Sequence, residues 1–351
     1  MSGMRVVVVG ATGNIGTSVL RSLQQDPEIG EVVALSRRRP GSLGSTRWRQ
    51  ADVLDADLTE HFRGADAVIH LAWVFQPTHD PVVTWRNNVL GTIRVCEAVA
   101  AAHVPSLVYS SSVGAYSPGP QNRAVDESWP THGWPRAAYT REKAYLERFL
   151  DSFEHDNPQI RVARMRNAFC FKRESASEQR RLFLGPLLPN RLVRPELLPA
   201  IPDLPGLLFQ AVHSDDVGEA FRLVTRMGQS GPFNIAADPP LDATQLGELF
   251  GVRRRIPLPR GPVRAALSAA WSAHLVPASP DLFDAVLRLP QMDTTRARSV
   301  LGWEPRYTST EALSEFLRGL REVAGDSTPP LEPKIPGGRV QEVRTGIGQR
   351  Q

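Results

Sequence analysis

Tyr139 and Lys143 stand four residues apart, so on a helix their side chains share one face. A tyrosine at its ordinary pKa of about 10 is a poor base near neutrality. A neighbouring positive charge favours the phenolate and moves the group toward useful acid/base strength. Upstream, Ser110, Ser111 and Ser112 close an apolar run, Leu107–Ser110, that reads as a strand. A hydroxyl at a strand end can hold the oxygen of an alcohol or carbonyl while a nearby phenol exchanges a proton with it. The Tyr-x-x-x-Lys spacing recurs by chance, so its meaning depends on the elements that carry it.

Those elements alternate. Short β-branched runs at Arg5–Val9, Glu31–Leu35, Ala67–Leu71 and Ser106–Ser110 are separated by amphipathic segments, including Ile15–Gln25 and Thr84–Ala102. Continuous apolar strands spaced by helices predict a parallel sheet covered on both faces. Pro135 opens a further helix over Arg136–His155, which carries Tyr139 and Lys143, and a strand follows over Gln159–Arg164.

The first strand runs into Gly10-Ala11-Thr12-Gly13-Asn14-Ile15-Gly16 and then into a helix. Gly10 permits the tight turn, Gly13 lets the backbone approach a pyrophosphate, and Gly16 allows close helix–sheet packing with the first amides aimed at the phosphates. The pattern is G-x-x-G-x-x-G rather than G-x-G-x-x-G, and its strand-turn-helix setting gives it weight. A dinucleotide is therefore expected at Gly10, Thr12, Gly13, Asn14, Ile15 and Gly16. The second strand ends in Ser36-Arg37-Arg38-Arg39 with no acid. A carboxylate there would hold a ribose 2′-hydroxyl, whereas an arginine accommodates a 2′-phosphate. Arg37 thus points to NADP, with NAD the alternative. The positive nicotinamide of such a cofactor would join Lys143 in favouring the Tyr139 phenolate.

These motifs together resemble the extended short-chain dehydrogenases/reductases, also called the NAD-dependent epimerase/dehydratase family, over roughly residues 4 to 322. The resemblance rests on Gly10-x-x-Gly13-x-x-Gly16, Asp52-Val53, His70-Leu71-Ala72, Asn88-Val89-x-Gly91-Thr92, Ser110–Ser112 with Tyr116, and Tyr139-x-x-x-Lys143. Later markers are Arg164-x-x-Asn167, Val212-His213-x-Asp215-Asp216-Val217, Phe233-Asn234-Ile235 and Leu301-Gly302-Trp303-x-Pro305. The family implies a Rossmann-type doubly wound parallel sheet with helices on both faces, plus a smaller mixed α/β C-terminal part that binds substrate. It implies that Asp52 and Val53 sit by the adenine and that Leu71 and Ala72 lie along the cofactor. Tyr139 is then the acid/base, and Lys143 also holds the nicotinamide ribose. Ser112, four residues before Tyr116, takes the catalytic serine position, with Ser111 as the fallback. Asn88 is implied as a structural or proton-relay residue. The helices Thr84–Ala102 and Arg136–His155 match those that pair in family dimers, so a homodimer is expected.

The substrate end departs from the family pattern. After Asn167 the usual Gly-Pro pair is replaced by Ala168-Phe169-Cys170-Phe171-Lys172, and the segment from Asn167 to His213 is short for a sugar-nucleotide site. Leu182–Leu208 holds Pro186, Pro189, Pro195, Pro199, Pro202 and Pro205 among leucines. That excludes a long helix and suggests irregular structure lining an apolar pocket. Trp73, Phe75, Trp129 and Trp134 are candidates for the substrate wall, with packing the plain alternative. Arg166, Lys172 and Arg173 could grip a phosphate. His213, Asp215 and Asp216 read as structural, with Asp215 capping a helix, and no metal is expected.

Composition narrows the other classes. The net charge of +4 is small and its excess is local, in the arginine runs 37–39 and 253–255 and in the last segment. This suits a phosphate-bearing ligand better than a nucleic-acid groove. Cys96 and Cys170 fall in apolar stretches without a CxxC or Cys/His cluster and read as free thiols in a reducing cytosol. Val6–Val9 is too short for a signal sequence, and no stretch approaches the roughly 20 apolar residues of a membrane span. A cytoplasmic protein with a small-molecule substrate, and no membrane or nucleic-acid partner, is expected. The chain divides into a nucleotide-binding domain (1–165), a substrate-binding part (166–324, with segments around 209–230 returning to the sheet) and a disordered tail (325–351). The leading function is NAD(P)-dependent hydride transfer at a secondary alcohol or ketone of a small, apolar substrate. The alternative is a nucleotide-sugar 4-epimerase or dehydratase with tightly bound NAD, followed by a non-catalytic NAD(P) sensor.

Overall fold

The computed structural model describes residues 3–38, 40, 46–76, 78–185 and 199–333. A seven-stranded parallel sheet is built from β1 (Met4–Val9), β2 (Ile29–Ser36), β3 (Arg47–Gln50), β4 (Ala67–His70), β5 (Ser106–Ser112), β6 (Arg161–Asn167) and β7 (Gly231–Ile235). The strands lie in the order β7-β6-β5-β4-β1-β2-β3. The winding therefore reverses between β1 and β4, where sheets of this type open a crevice at the carboxyl ends of their strands.

The valine run of β1 is continuous because both faces of the strand are covered. Val6 and Val8 enter one core with Val19 and Leu23 of α1 (Asn14–Gln24). Val7 and Val9 enter the other, with Val95 and Val99 of α2 (Gly91–Ala101) and Leu146 and Leu150 of α3 (Ala138–Asp156). Each fully buried valine contributes about 1.5–3 kcal/mol by leaving water. The first core is closed by Val217 and Phe221 of α4 (Ser214–Met227) and by the wholly buried Trp303.

Several elements differ from the sequence expectation. The helix expected over Thr84–Ala102 starts at Pro81, capped by Asp80, and widens into a π-helical turn at Arg86–Leu90 before α2. The segment expected to return to the sheet begins with a short strand, Ala211–His213, while Phe209 bridges to Leu241. It pairs in parallel with Phe169–Phe171. Residues 209–230 add no strand to the main sheet; the chain returns to it only at β7, its outermost strand beside β6. Within the proline-rich stretch, Ile201–Asp203 pairs with Arg255–Pro257, and residues 186–198 lie outside the described residues.

The smaller part gathers around α5 (Ser309–Glu322), whose Leu313, Phe316 and Leu320 pack with Ala176, Ala211 and Leu241. After it the chain does not run off as the expected tail. Gly325–Pro333 folds back as a turn, with Asp326 N donating to Leu331 O at 3.0 Å and Leu331 N to Thr328 O at 2.9 Å. The apolar Leu331 is fully buried, which anchors the turn. The remainder of that expected tail lies outside the described residues. Among the described residues no helix is long and apolar enough to cross a membrane.

Candidate active site

A cavity of about 810 Å³ opens at the carboxyl ends of β1, β4 and β5. Its floor is the turn between β1 and α1, contributed by Gly10, Thr12, Gly13, Asn14, Ile15 and Gly16. Gly10 adopts φ +85°, and a Cβ there would come within 2.5 Å of Ala72 N. A Cβ on Gly16 would meet Gly10 O at 2.5 Å. At Gly13 the nearest atom would be 3.7 Å away, so that backbone is open on the cavity side. Gly13 is also the N-cap of α1 and supplies no side-chain cap. The first amides of the helix are thereby left for a phosphate, as a bound dinucleotide requires.

Toward the adenine end the walls are Arg37 and Arg38 after β2, and Asp52 and Val53 after β3. Asp52 is already engaged, its carboxylate accepting from Leu54 N at 3.1 Å. Leu71 and Ala72, following β4, line the side of the same cavity.

At the other end α3 brings Tyr139 and Lys143 against the end of β5. The three serines, equivalent by type, separate by direction. Ser111 Oγ donates to the buried Glu147 at 2.6 Å, and Ser110 Oγ accepts from Asn167 Nδ2 at 3.2 Å. Ser112 is hydrogen-bonded to the Tyr139 side chain, and its oxygen accepts from Gly114 N at 3.0 Å. Burial pushes the Tyr139 phenol well above its ordinary pKa, against the lowering effect of the Ser112 hydrogen bond. Burial also lowers the Lys143 ammonium to about 7, opposed by Glu142 and Glu147. Lys143 Nζ donates to Ser110 O at 2.7 Å and to Tyr109 Oη at 3.3 Å.

Aromatic side chains enclose this pair. Phe75 stacks on the Tyr139 ring with centroids 4.9 Å apart, and Trp73 meets it edge-on at 5.6 Å. Both line the cavity; Trp129 and Trp134 do not. Trp134 packs under the Arg288 guanidinium at 4.4 Å, and Trp129 Nε1 donates to Ser117 O at 3.3 Å.

Asn88 borders the cavity, but its amide is committed. Its Oδ1 accepts from Val74 N at 2.8 Å, and its Nδ2 donates to Val74 O at 2.9 Å and to Glu142 Oε2 at 2.7 Å. Held by the π-helical turn, it pins the segment that carries Trp73 and Phe75. His70 is likewise internal: its Nε2 meets Thr92 Oγ1 at 2.9 Å. Burial, helped by Lys143, lowers it to about 3, so it stays neutral.

The residues considered as phosphate grips turn elsewhere. Arg166 is buried, donating to Glu147 Oε2 at 2.8 Å, Tyr116 Oη at 2.9 Å and Glu127 O at 2.8 Å. Arg173 pairs with Glu322 at 2.6 Å. Lys172 lies beneath α1, donating to Asn14 O, Thr17 Oγ1 and Ser18 Oγ at 2.8, 2.6 and 3.0 Å. The cap of α4 is the His213 ring, which accepts from Asp215 N at 3.2 Å. Asp215 instead joins α4 to α1 through Ser18 Oγ at 2.6 Å and Arg21 at 2.9 Å.

A family model for the NAD dependent epimerase/dehydratase family matches residues 6–236. The chain belongs to that family. The match ends just after β7, so it takes in the parallel sheet of this epimerase/dehydratase-family protein except the first two residues of β1. Its sequence is 27% identical over 339 residues to a UDP-glucose 4-epimerase of Mycolicibacterium smegmatis, covering 91% of this chain and 99% of the relative. It is 25% identical over 325 residues to an uncharacterised protein of Mycobacterium tuberculosis, covering 90% and 83% of the two chains. Among solved structures, its fold is similar to Thermus thermophilus UDP-glucose 4-epimerase in complex with NAD, with a TM-score of 0.66 and 19% identity over 91% of this chain and 99% of that one. It is equally similar to a Streptomyces venezuelae dTDP-glucose 4,6-dehydratase with NAD bound, with a TM-score of 0.67 and 19% identity over 91% and 97%.

Some cavity features of this family member had no signal in sequence. Glu178 lines the wall, where burial raises its carboxyl to about 7 against the lowering effects of Arg181 and Lys172. Pro329 and Pro330, from the folded-back turn, line the cavity beside Thr12. The second neighbourhood does not follow from local spacing, because it joins segments more than 300 residues apart.

Proposed function

We propose that this protein is an NAD(P)-dependent oxidoreductase that moves a hydride at a secondary alcohol or ketone of an apolar substrate. The observation that carries the reading is the meeting of Ser112, Tyr139 and Lys143 at the end of a cavity whose far wall is apolar. That wall is made by Trp73, Phe75, Leu182, Phe183, Leu267 and Phe283. The internal pairing of Arg166, Lys172 and Arg173 supports it further, since none of them faces the cavity as a grip for a nucleoside diphosphate. Arg37 and Arg38 at the adenine end favour NADP over NAD.

In this reading Gly13 and the first amides of α1 hold the diphosphate, Arg37 the 2′-phosphate, and Asp52 and Val53 border the adenine. The nicotinamide supplies the carbon that accepts or gives the hydride. Ser112, whose oxygen accepts from Gly114 N, turns its hydroxyl from Tyr139 to the substrate oxygen when substrate binds. Tyr139 takes the proton from an alcohol, or returns it to a ketone oxygen. Lys143 supplies the charge that makes a phenol usable as a base near neutrality. Phe75, Trp73 and the leucines exclude water from the reacting centre.

The likeness to a UDP-glucose 4-epimerase favours a second reading, in which the same residues act on a nucleotide sugar with retained NAD. Purified protein assayed for NADPH and NADH oxidation against apolar ketones, beside a UDP-sugar epimerisation assay, separates the two. Ketone-dependent NADPH oxidation is expected, and epimerisation without added cofactor would replace this reading with the second. A homodimer through Pro81–Ala101 and α3 belongs to the proposal. It is supported by the exposed Val82 (72%), Leu90 (46%) and Tyr145 (43%) on these helices.

A further inference from the structure

The C-terminal turn Gly325–Pro333 reaches the glycine floor of the cavity. Thr328, itself fully buried, donates from Oγ1 to Thr12 O at 2.8 Å. That carbonyl belongs to the loop whose amides face the diphosphate position. The next two residues, Pro329 and Pro330, form cavity wall together with Thr12 and Asn14. Arg181 holds the turn from the opposite side, donating to Pro330 O at 2.7 Å and Glu332 O at 3.0 Å. Ser177 N, in the helical turn Ala176–Gln179 just before Arg181, donates to Ala324 O at 3.3 Å and fixes the start of the turn. Two segments separated by more than 300 residues thus close over one another at the phosphate end of the cleft.

We propose that Thr328, Pro329 and Pro330, clamped by Arg181, are a strap across the diphosphate subsite that sets how long the dinucleotide stays bound. The inference rests on the cofactor assignment made above. Two prolines suit the task, because fixed φ angles let a turn keep its shape without a helix or sheet to support it. The strap contributes a wall and a hydrogen bond to the glycine turn, while the arginine acts through the backbone carbonyls it holds and is a positioning residue. With the strap closed, cofactor departure requires the Thr328–Thr12 bond and the Arg181 clamp to open. A dehydrogenase must exchange cofactor on every turnover, so this opening becomes a candidate for the slow step.

The test uses full-length protein and NADPH as the probe, followed by its fluorescence. Release is timed by displacement with excess NADP⁺ in wild type, Thr328→Val and Arg181→Gln. Thr328→Val keeps the volume and deletes the bond to Thr12, and Arg181→Gln loosens the clamp. Release about tenfold faster in each variant, with a melting temperature lowered by no more than a few degrees, is the expected result. Release within twofold of wild type in both variants, measured as ~2 or less, overturns the strap while leaving the cofactor assignment intact. If wild type binds neither NADPH nor NADH, the assignment and the strap both fall.

Discussion

Lys143 Nζ lies over the face of the Trp73 indole, 3.5 Å from the ring centroid. The contact is attractive, about 0.5–2 kcal/mol for a cation on an aromatic face. The same ring also keeps water away, and burial leads the causes that lower Lys143 to about 7. Desolvation of a charge is the larger effect. The ammonium is therefore full well below pH 7 and is lost as pH rises through about 7. Trp73→Ala admits water and should carry the basic limb of cofactor affinity to higher pH. Dissociation constants for NADPH across pH 6–10 check this; a limb moved downward would mean that the ring stabilises the charge on balance.

Tyr139→Phe removes the proton donor but keeps the ring that Phe75 and Trp73 pack against. Turnover should fall by about 10²–10⁴, with NADPH affinity changed by no more than a few-fold. Single-turnover kinetics beside a binding titration provide the measurement. Residual turnover near wild type would remove Tyr139 from the chemistry.

Arg37→Ala should weaken NADPH by about tenfold, the scale of one charge-assisted hydrogen bond, and leave NADH nearly unchanged. Calorimetric titration of both cofactors decides the matter. An equal loss for the two would show that this guanidinium is not reading a 2′-phosphate.

Glu178 is a carboxyl raised by burial from 4.5 to about 7. For a raised carboxyl the folded state binds the proton more tightly, so its favourable contribution is full below about pH 4.5 and is lost as pH rises to 7. Glu178→Gln should melt with wild type at pH 4.5 and melt a few degrees higher at pH 8. Thermal scans at the two pH values test this, and parallel curves would show that the carboxyl is solvated and unperturbed.

Leu90→Glu combined with Tyr145→Glu places charges on the exposed face shared by Pro81–Ala101 and α3. Wild type should scatter light as a dimer at micromolar concentration and the double variant as a monomer. A monomeric wild type would defeat the dimer proposal.

The sheet and the glycine turn were legible because their cause is local. Val6–Val9 has both faces buried, Gly16 answers to a steric contact with Gly10 six residues away, and Gly10 takes the positive φ of the turn itself. The edge strand β3 was not legible, since Arg47-Trp48-Arg49-Gln50 is mostly exposed and shows no apolar period; it exists because β2 offers a free edge. Tyr139 and Lys143 could be named from spacing, but choosing among Ser110, Ser111 and Ser112 from geometry needed Glu147 and Asn167, which lie 36 and 57 residues from the serines they engage. Lys172 looked like a phosphate ligand by type. Only its position beneath α1 reveals that its three bonds go to the protein itself.

Trp303 Nε1 donates to Asp216 O at 2.8 Å, and its indole fills the core begun by Val6 and Val8. A ribosome adding about 5–20 residues per second delivers that indole roughly 15–60 seconds after β1 has emerged. For part of that interval β6 (Arg161–Asn167) also waits for β7 (Gly231–Ile235) and presents an open strand edge. On a growing chain the core around Val6 and Val8 is therefore sealed only when the segment carrying Trp303 arrives, well after the strands that begin it.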